Sequence, residues 1–495
     1  MPEKYILGID QSTQGTKALL FNTQGKMIAR ADQSHRQLIN KQGWVSHDPE
    51  EIFSNVLQVV KEVVQKAKIE KTQIVAVGIS NQRETAMIWN RKNGEPLGLA
   101  VVWQCARGEK ICQQLLKRNV GDQIKQVTGL PLSPYFSAAK FSWLLKNHAE
   151  AVQLMKDGHL GMGTMDSWLI YKLTKNSAYK TDYSNASRTQ LFNIHTLCWD
   201  QKICDLFEII PETLPEVCDS NACFGTTDFS GWLEAEIPIH AVMGDSHGAL
   251  FGQHCQQAGM LKATYGTCSS VMMNTGSQPV FSKKGLVTSL AWCLDGKVSY
   301  VLEGNINYTG AVITWLKEQM QLIISSEETA KLAKDSNQYD KSYFVPAFSG
   351  LGAPYWDSEA TAIFTGITRT TGKNEFIRAG LDAIAYQIGD IIRLMREEAG
   401  MPVLALRADG GPTKNEYLMQ FQADILQTPV WVSAVEEISG LGVAYAAGLA
   451  AGIYQPEGIF NNRIFQEYTP HMEEEEQFEK YKGWQRAVEQ SRCYR

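Results

Sequence analysis

The chain has 495 residues, which exceeds the size at which a single hydrophobic core stays efficient, so two domains are expected. Its net charge of -6 gives no basic surface for a nucleic-acid backbone, which argues against a protein that binds nucleic acid. No apolar run is long enough to span a membrane, and ten scattered cysteines without a Cys-x-x-Cys pair indicate reduced thiols in the cytoplasm.

The first eighty residues alternate between predicted strands and helices. Residues 5–9 and 16–21 are apolar and predict two strands, and residues 10–15 between them form a polar loop of small residues. In Pro49–Ala67, apolar residues recur at spacings of three and four, which predicts a helix. Residues 74–79 then predict a buried strand. Because this alternation continues along the chain, the predicted fold class is α/β.

A weaker copy of the opening pattern appears halfway along the chain. Residues 260–265 are rich in apolar side chains, residues 266–270 form a second small polar loop, and residues 271–273 resume the strand. Two such strand–loop–strand units predict two domains of similar core topology. We expect residues 1–252 to form the N-terminal domain and residues 253–495 the C-terminal domain.

The small polar loops are candidate phosphate sites, because small residues let the backbone approach a phosphate closely. A tight hairpin uses the same residues, so one such loop alone is weak evidence. A third candidate is the pair Gly410 and Gly411, which leads into a helical pattern, although a plain strand-to-helix turn explains it equally well. Gly440 and Gly442 open a helix of small residues, for which close helix packing is expected. The chain lacks Gly-x-x-x-x-Gly-Lys-Ser/Thr, which excludes a P-loop enzyme.

Charged residues follow several predicted strands directly. Asp10 follows residues 6–9 and Asp245 follows residues 239–243, where side chains project into the ligand crevice of α/β proteins, although a lone strand-end aspartate is often only a cap. Phosphoryl transfer to an alcohol needs one carboxylate that deprotonates the hydroxyl and others that hold magnesium near the phosphates. Arg83 and Glu84 can hydrogen-bond the hydroxyls of a polyol, or simply form a surface ion pair.

Nine segments spread over essentially the whole chain carry a family resemblance. They are GIDQ at 8–11, SNQRET at 80–85, VWQ at 102–104, PYFSAAK at 134–140, DSWL at 166–169, SNASRT at 184–189, TYGT at 264–267, FSGLGAPYW at 348–356 and LMQFQ at 418–422. In these segments the chain resembles the FGGY carbohydrate kinases, and within that family most closely the glycerol kinases. The resemblance implies two actin-like, ribonuclease-H-like domains with a central nucleotide and substrate cleft. It also implies an ATP- and Mg²⁺-dependent phosphotransferase acting on a small sugar or polyol, as a homodimer or homotetramer.

The resemblance also implies a role for individual residues. Asp245 matches the general base, and Asp10 matches the carboxylate near magnesium. The residues that match the substrate pocket are Arg83, Glu84, Trp103 and Tyr135, with Asp245, Ser246 and Ser270 beside them. The residues that match nucleotide positions are Thr13, Gln14, Gly15 and Lys17 in the first phosphate loop, and Thr267, Gly310, Gly411 and Asn415 in the second half of the chain.

Some pocket residues depart from the glycerol kinase pattern. Glycerol kinases have Gly-Asp-Gln-Gln where this chain has Gly-Asp-Ser-His at 244–247, a phenylalanine at the position of Ser270, and usually an arginine at Lys17. The two serines, Ser246 and Ser270, leave a wider and more polar pocket, so we expect an acceptor larger than glycerol: a four- to six-carbon polyol or open-chain ketose. His247 is expected to be structural. The alternatives are glycerol kinase itself and, from another class, a non-catalytic actin-like sugar-sensing protein.

Overall fold

In the computed structural model, which describes residues 3–461 and 465–493, the chain divides into two compact units. Unit 1 comprises Met1–His254, Thr288–Tyr300 and Glu437–Asn462, and unit 2 comprises Cys255–Val287, Val301–Glu436 and Arg463–Arg495. The first segment of unit 1 ends beside the predicted boundary at residue 252. The compact units nevertheless differ from two continuous halves, because two later segments pack within unit 1. As functional domains, 1–252 and 253–495 stay a prediction.

The main sheet of unit 1 includes the four strands that the sequence predicted at residues 5–9, 16–21, 74–79 and 239–243. Its strand order is Cys223–Thr227, Ile237–Gly244, Ile74–Asn81, Tyr5–Gln11, Gly15–Phe21 and Met27–Ser34. The neighbouring strands Ile237–Gly244, Ile74–Asn81 and Tyr5–Gln11 run parallel, with Asp10 opposite Ser80. Because carboxyl ends of parallel strands meet at one edge, Asp10, Arg83 and Asp245 are all directed to that edge.

Helices and a second sheet complete unit 1. The smaller sheet has the order Leu160–Thr164, Ala86–Asn90, Ala100–Val101, Val45–His47 and Leu38–Ile39. The helix Pro49–Ala67 has the predicted bounds, with the Asp48 carboxylate accepting from the amides of Glu50 and Glu51 at its N-terminus. The other helices are Glu109–Leu116, Gly121–Thr128, Ser137–Asn147, Ala149–Lys156, Met165–Leu173, Tyr183–Ala186, Gln201–Leu206, Asp245–Gly252, Ile438–Ala450 and Pro456–Asn461.

The helix Ile438–Ala450 packs against the main sheet of unit 1 at van der Waals limits. A Cβ atom on Gly78 would lie 2.2 Å from the carbonyl oxygen of Val443, and one on Gly442 would lie 1.9 Å from that of Gly248. Both distances are too short for any side chain, so glycine is required at Gly78, where the helix meets the sheet, and at Gly442, where it meets the helix Asp245–Gly252. The predicted close packing of the Gly440–Gly442 region is confirmed.

Unit 2 repeats the strand–loop–strand pattern that the sequence indicated. Its sheet contains, in order, Ser269–Gly276, Leu261–Tyr265, Leu406–Asp409, Val430–Ser433 and Phe465–Tyr468. The strands Val287–Leu294 and Lys297–Ile306 are neighbours in the sheet order, and Tyr343–Val345 pairs with Ile363–Thr365. The helices of unit 2 are Gly310–Glu318, Thr329–Lys334, Lys373–Ala399, Glu416–Leu426 and Glu474–Arg492. Among the residues that the structure describes, no helix is long and apolar enough to cross a membrane.

Candidate functional site

Asp245 is the first residue of the helix Asp245–Gly252, directly after the strand Ile237–Gly244. Its side chain is 34% exposed, and its Oδ1 atom lies 3.1 Å from Nε of Arg83, which is almost fully buried. The backbone amide of Ser246 donates to the same Oδ1 atom at 2.6 Å. These contacts fix the orientation of a carboxylate that remains accessible, as a general base must be.

Asp10 is the penultimate residue of the strand Tyr5–Gln11, which lies two strands away from Ile237–Gly244 in the same sheet. Burial raises the pKa of its carboxyl to about 6; the Lys17 charge opposes this rise, and the Asp245 and Glu437 charges add to it. Within residues 3–461 and 465–493, the Oδ1 atom of Asp10 is buried without a hydrogen-bond partner. Such an oxygen is suited to a hard cation.

The residues around Asp10 meet the demands of Mg²⁺ in part. In the described part of the chain, no group of three or more His, Cys, Asp or Glu side chains is arranged to hold a metal ion. Mg²⁺ in kinases is usually bound through one or two carboxylates together with substrate phosphates and water, so a dedicated protein cage is not required. The unpartnered oxygen of Asp10 therefore fits a Mg²⁺ ion that arrives with a nucleotide.

The predicted first phosphate loop is a tight hairpin. The amide of Ser12 donates to the Gly15 carbonyl at 2.8 Å, and a Cβ atom on Gly15 would lie 2.7 Å from the Gln33 carbonyl oxygen. The carbonyl oxygen of Thr13 is hydrogen-bonded to the ring of His35, and the carbonyl oxygen of Gln14 accepts from the backbone amide of His35. The loop is therefore held by its own backbone and by the adjacent strand.

Lys17 is engaged by a residue that the sequence did not suggest. Its Nζ atom lies 2.5 Å from Oε2 of Glu437, and Arg30 holds the other oxygen of that carboxylate at 2.7 Å. Glu437 immediately precedes the helix Ile438–Ala450 and is separated from Lys17 by 420 positions. No local pattern connects two residues this far apart.

Arg83 and Glu84 are both almost fully buried, so the alternative of a surface ion pair between them is wrong. Arg83 pairs with Asp245, and Oε1 of Glu84 lies 2.5 Å from Nε of Arg188, with the two side chains 2% and 1% exposed. Glu84 also has a left-handed backbone, with φ of 57°, and its carbonyl oxygen accepts from the Ser137 hydroxyl at 3.1 Å. The sequence did not indicate a role for Arg188, although this residue lies within the family segment SNASRT at 184–189.

An aromatic pair adjoins these charged groups. The ring centroids of Trp103 and Tyr135 lie 5.4 Å apart, and Nε1 of Trp103 donates to the Thr13 hydroxyl at 2.9 Å. The structure therefore connects the predicted pocket wall to the predicted phosphate loop. Ser246 is partly buried on the Asp245 helix, and the neighbouring His247 is fully buried.

Unit 2 contains a cavity that joins several predicted nucleotide positions. Its volume is about 520 Å³, which lies in the usual range for small-molecule sites, and its wall includes Gly310, Gly411 and Asn415. The rest of the wall combines apolar residues with polar and charged ones. The apolar residues are Ile313, Ala330, Leu381, Ile384, Pro412 and Leu418, and the polar and charged residues are Thr314, Lys317, Glu318, Ser326, Glu327, Thr329 and Lys414. This composition suits a flat heterocycle with a polar tail.

The backbone around this cavity depends on the predicted turns. The amide of Gly310 donates to the Gly266 carbonyl at 2.9 Å, and the Thr267 carbonyl accepts from Ala311 at 3.2 Å. The second small loop is thus docked on the start of the helix Gly310–Glu318. Gly410 has φ of 101° and approaches Tyr265 so closely that a Cβ atom would lie 2.0 Å from its carbonyl oxygen.

Asn415 and Ser270 both use their side chains within unit 2. The Asn415 amide accepts from the Leu418 backbone at 3.0 Å and donates to the Thr329 hydroxyl at 2.9 Å. It therefore caps the helix Glu416–Leu426 and orients one side of the cavity. The Ser270 hydroxyl donates to Oε1 of Glu303 at 3.1 Å.

Comparison with known proteins gives a consistent result. The N-terminal domain of the FGGY family of carbohydrate kinases matches residues 5–252, and the C-terminal domain of that family matches residues 261–451. Glycerol kinase 1 of Thermotoga maritima is 46% identical over 98% of this chain and 99% of its own length. A glycerol kinase of Oceanobacillus iheyensis is 44% identical over 100% of this chain and 99% of its own.

Solved structures agree with these sequence matches. The crystal structure of Plasmodium falciparum glycerol kinase with ADP superimposes with a TM-score of 0.94 at 35% identity, covering 99% of this chain and 98% of that one. A ligand-bound xylulose kinase from Lactobacillus acidophilus gives a TM-score of 0.86 at 23% identity over 99% and 97%, which supports the fold alone. The predicted two-domain α/β fold is confirmed.

Proposed function

Because the chain belongs to the FGGY family of carbohydrate kinases, we propose that it transfers the γ-phosphate of ATP to glycerol, with Asp245 as the general base. The observation that carries this proposal is an accessible carboxylate at a strand end, oriented by the buried Arg83. Full-length relatives at 46% and 44% identity are named glycerol kinases, which supports glycerol as the acceptor.

The expectation of an acceptor larger than glycerol is not supported by these relatives. That expectation depends on the small side chains of Ser246 and Ser270, which would leave a wider pocket. The Ser270 hydroxyl is already bonded to Glu303, so this position is not simply an empty space left by a lost phenylalanine. Side-chain volume at two positions does not define the size of an acceptor pocket.

In the proposed reaction, Asp245 accepts the proton of one glycerol hydroxyl as its oxygen bonds to the γ-phosphorus of ATP. The bond between that phosphorus and the β–γ bridging oxygen breaks, and ADP leaves with the bonding electrons. Arg83 donates to glycerol hydroxyls, Glu84 accepts from them, and the rings of Trp103 and Tyr135 contact the carbon chain. The buried Arg188 orients the Glu84 carboxylate for this contact.

ATP would be bound in the unit 2 cavity, with the base against Ile313, Leu381 and Ile384 and the phosphates towards the glycine turns. Asp10 would hold Mg²⁺, which supplies charge neutralisation on the phosphate oxygens. The buried, unpartnered Oδ1 atom of Asp10 is the observation that favours this role.

The test is glycerol-dependent release of ADP, measured for the wild type and for Asp245→Asn. Removal of a general base lowers kcat by about 10²- to 10⁴-fold. Asp205→Asn is the matched control, since Asp205 is an exposed aspartate whose side chain contacts Gln201 on the same short helix. A kcat of Asp245→Asn close to that of Asp205→Asn would reject the assigned base. A wild type without glycerol-dependent turnover would favour the non-catalytic alternative.

A further inference from the structure

We propose that Lys140 is a positioning residue of the acceptor site, which fixes the turn at residues 134–136 and thereby holds the Tyr135 ring beside Trp103. This inference rests on the proposed function, because it takes Tyr135 as part of the glycerol pocket. Lys140 is the last residue of the segment PYFSAAK, and the chemistry described above gives that lysine no role.

The contacts of Lys140 use the whole ammonium group. Its side chain is fully buried in the first turns of the helix Ser137–Asn147. Its Nζ atom donates to the carbonyl oxygens of Pro134 at 2.8 Å and Phe136 at 3.0 Å, and also to that of Tyr135. An ammonium has three donors, and three consecutive carbonyls receive them.

Burying the Lys140 ammonium group costs free energy, so this side chain must do more than fill space in the core. Burial of a cation is unfavourable, and the first turns of a helix carry a partial positive charge that repels it. A hydrophobic side chain would fill the same volume without either penalty. The useful property of the ammonium group is therefore its hydrogen bonds, which hold the backbone on both sides of Tyr135.

The turn in question determines where the Tyr135 ring lies. The ring lies 5.4 Å from the Trp103 centroid and 5.3 Å from that of Phe136. The backbone amide of Tyr135 donates to the Ser133 hydroxyl at 3.2 Å, and the carbonyl of the same residue accepts from Lys140. Both ends of the Tyr135 backbone are therefore held. If those carbonyls were released, the ring would lose its fixed distance to Trp103.

The charge state of Lys140 gives this role a measurable pH dependence. Burial lowers the pKa of Lys140 to about 7, with the nearby Glu84, Cys105 and Cys112 opposing the shift and Arg107 adding to it. Burial raises the pKa of Cys112 to about 12, so this thiol stays neutral when Lys140 titrates. A neutral amine has two donors, so one of the three carbonyls loses its partner as the pH rises above 7.

Two substitutions separate positioning from simple filling. Lys140→Met keeps the stem but removes the donors, and we expect it to raise the KM for glycerol by about tenfold or more, while kcat and the KM for ATP stay within about twofold. Lys140→Arg keeps a permanent charge and should restore glycerol affinity. The wild-type KM for glycerol should rise above pH 7, and that of Lys140→Arg should stay flat. Lys146→Met, on the exposed face of the same helix, is the control that should change nothing.

Hydrogen–deuterium exchange provides a readout that does not depend on the acceptor. We expect amide exchange of residues 133–137 to be about tenfold faster in Lys140→Met than in Lys146→Met. If the wild type fails to phosphorylate glycerol, the proposed function fails, and this exchange measurement still decides the role of Lys140. Unchanged exchange and unchanged KM in a folded Lys140→Met would overturn the inference. Should Lys140→Met not fold, a pH profile of Lys140→Arg identical to that of the wild type would overturn it.

Discussion

At the scale of single residues, the site depends on partners that lie far away in sequence. Arg83 and Glu84 are adjacent, yet one pairs with Asp245 and the other with Arg188. Glu84 also has a left-handed backbone, with φ of 57°. Under the proposed function, Arg83 and Glu84 can both contact the acceptor, each held by its own partner.

The Glu84–Arg188 pair also predicts a stability effect. Arg188→Met leaves the Glu84 carboxylate buried without its partner, so we expect the free energy of unfolding to fall by about 3–5 kcal/mol. Lys146→Met breaks an exposed pair with Glu208, whose side chains are 47% and 68% exposed, and should cost below about 1 kcal/mol. Urea denaturation of the two variants measures the difference. Equal losses would show that the buried pair contributes no more than a surface pair.

At the scale of secondary-structure elements, the helix Ile438–Ala450 determines how Asp245 is supported. Gly442 lies against Gly248, which belongs to the helix that Asp245 begins. The close approach of these two helices leaves no room for a methyl group on Gly442. The position of Asp245, the proposed general base, is therefore coupled to a helix from the far end of the chain.

Gly442→Ala tests this coupling. The added methyl would meet the Gly248 carbonyl at 1.9 Å, so we expect a loss of about 1–3 kcal/mol in unfolding free energy and a lower kcat. Gly458→Ala is the matched control, since Gly458 is exposed in the helix Pro456–Asn461 with no atom within 4 Å of its added Cβ. That variant should stay within about 1 kcal/mol of the wild type. A Gly442→Ala protein with normal stability and normal kcat would contradict the coupling.

The sequence predicted the local elements well, because each follows from neighbouring residues. The strand Tyr5–Gln11, the helix Pro49–Ala67 and the turn at Gly410 are all indicated by apolar spacing or by glycine chemistry. Long-range pairing was missed, because the Lys17–Glu437 contact depends on how distant segments pack. A local pattern contains no information about such a partner.

At the scale of the whole molecule, unit 1 is assembled from segments that are far apart in the chain. The helix Ile438–Ala450 is buried along most of its length against strands from the first eighty residues. A single cut near residue 252 would remove this helix and leave an apolar surface on the main sheet exposed. The compact units of this protein therefore do not correspond to continuous stretches of the chain.

This arrangement predicts the behaviour of a fragment. Residues 1–254 alone should lack a cooperative unfolding transition and should be cleaved rapidly by protease, because the sheet loses its covering helix. The same fragment joined to residues 437–461 should gain protection against the protease. Circular dichroism and limited proteolysis compare the two. Cooperative unfolding of 1–254 alone, at the wild-type midpoint, would show that the helix is dispensable.

Several whole-molecule expectations stay predictions, among them a cytoplasmic location and a homodimer or homotetramer. The choice of acceptor was the weakest part of the sequence-based interpretation, since it relied on Ser246 and Ser270 alone. Substrate size depends on every wall of a pocket, and two substitutions inform only two of them. The full-length relatives that are named glycerol kinases support glycerol as the acceptor instead.

The central claim is tested most directly by one assay, the rate of ADP release with ATP across a panel of acceptors from glycerol to four-, five- and six-carbon polyols and ketoses. We predict the highest kcat/KM for glycerol. A higher kcat/KM for any larger acceptor, or no ADP release with glycerol, would contradict the claim.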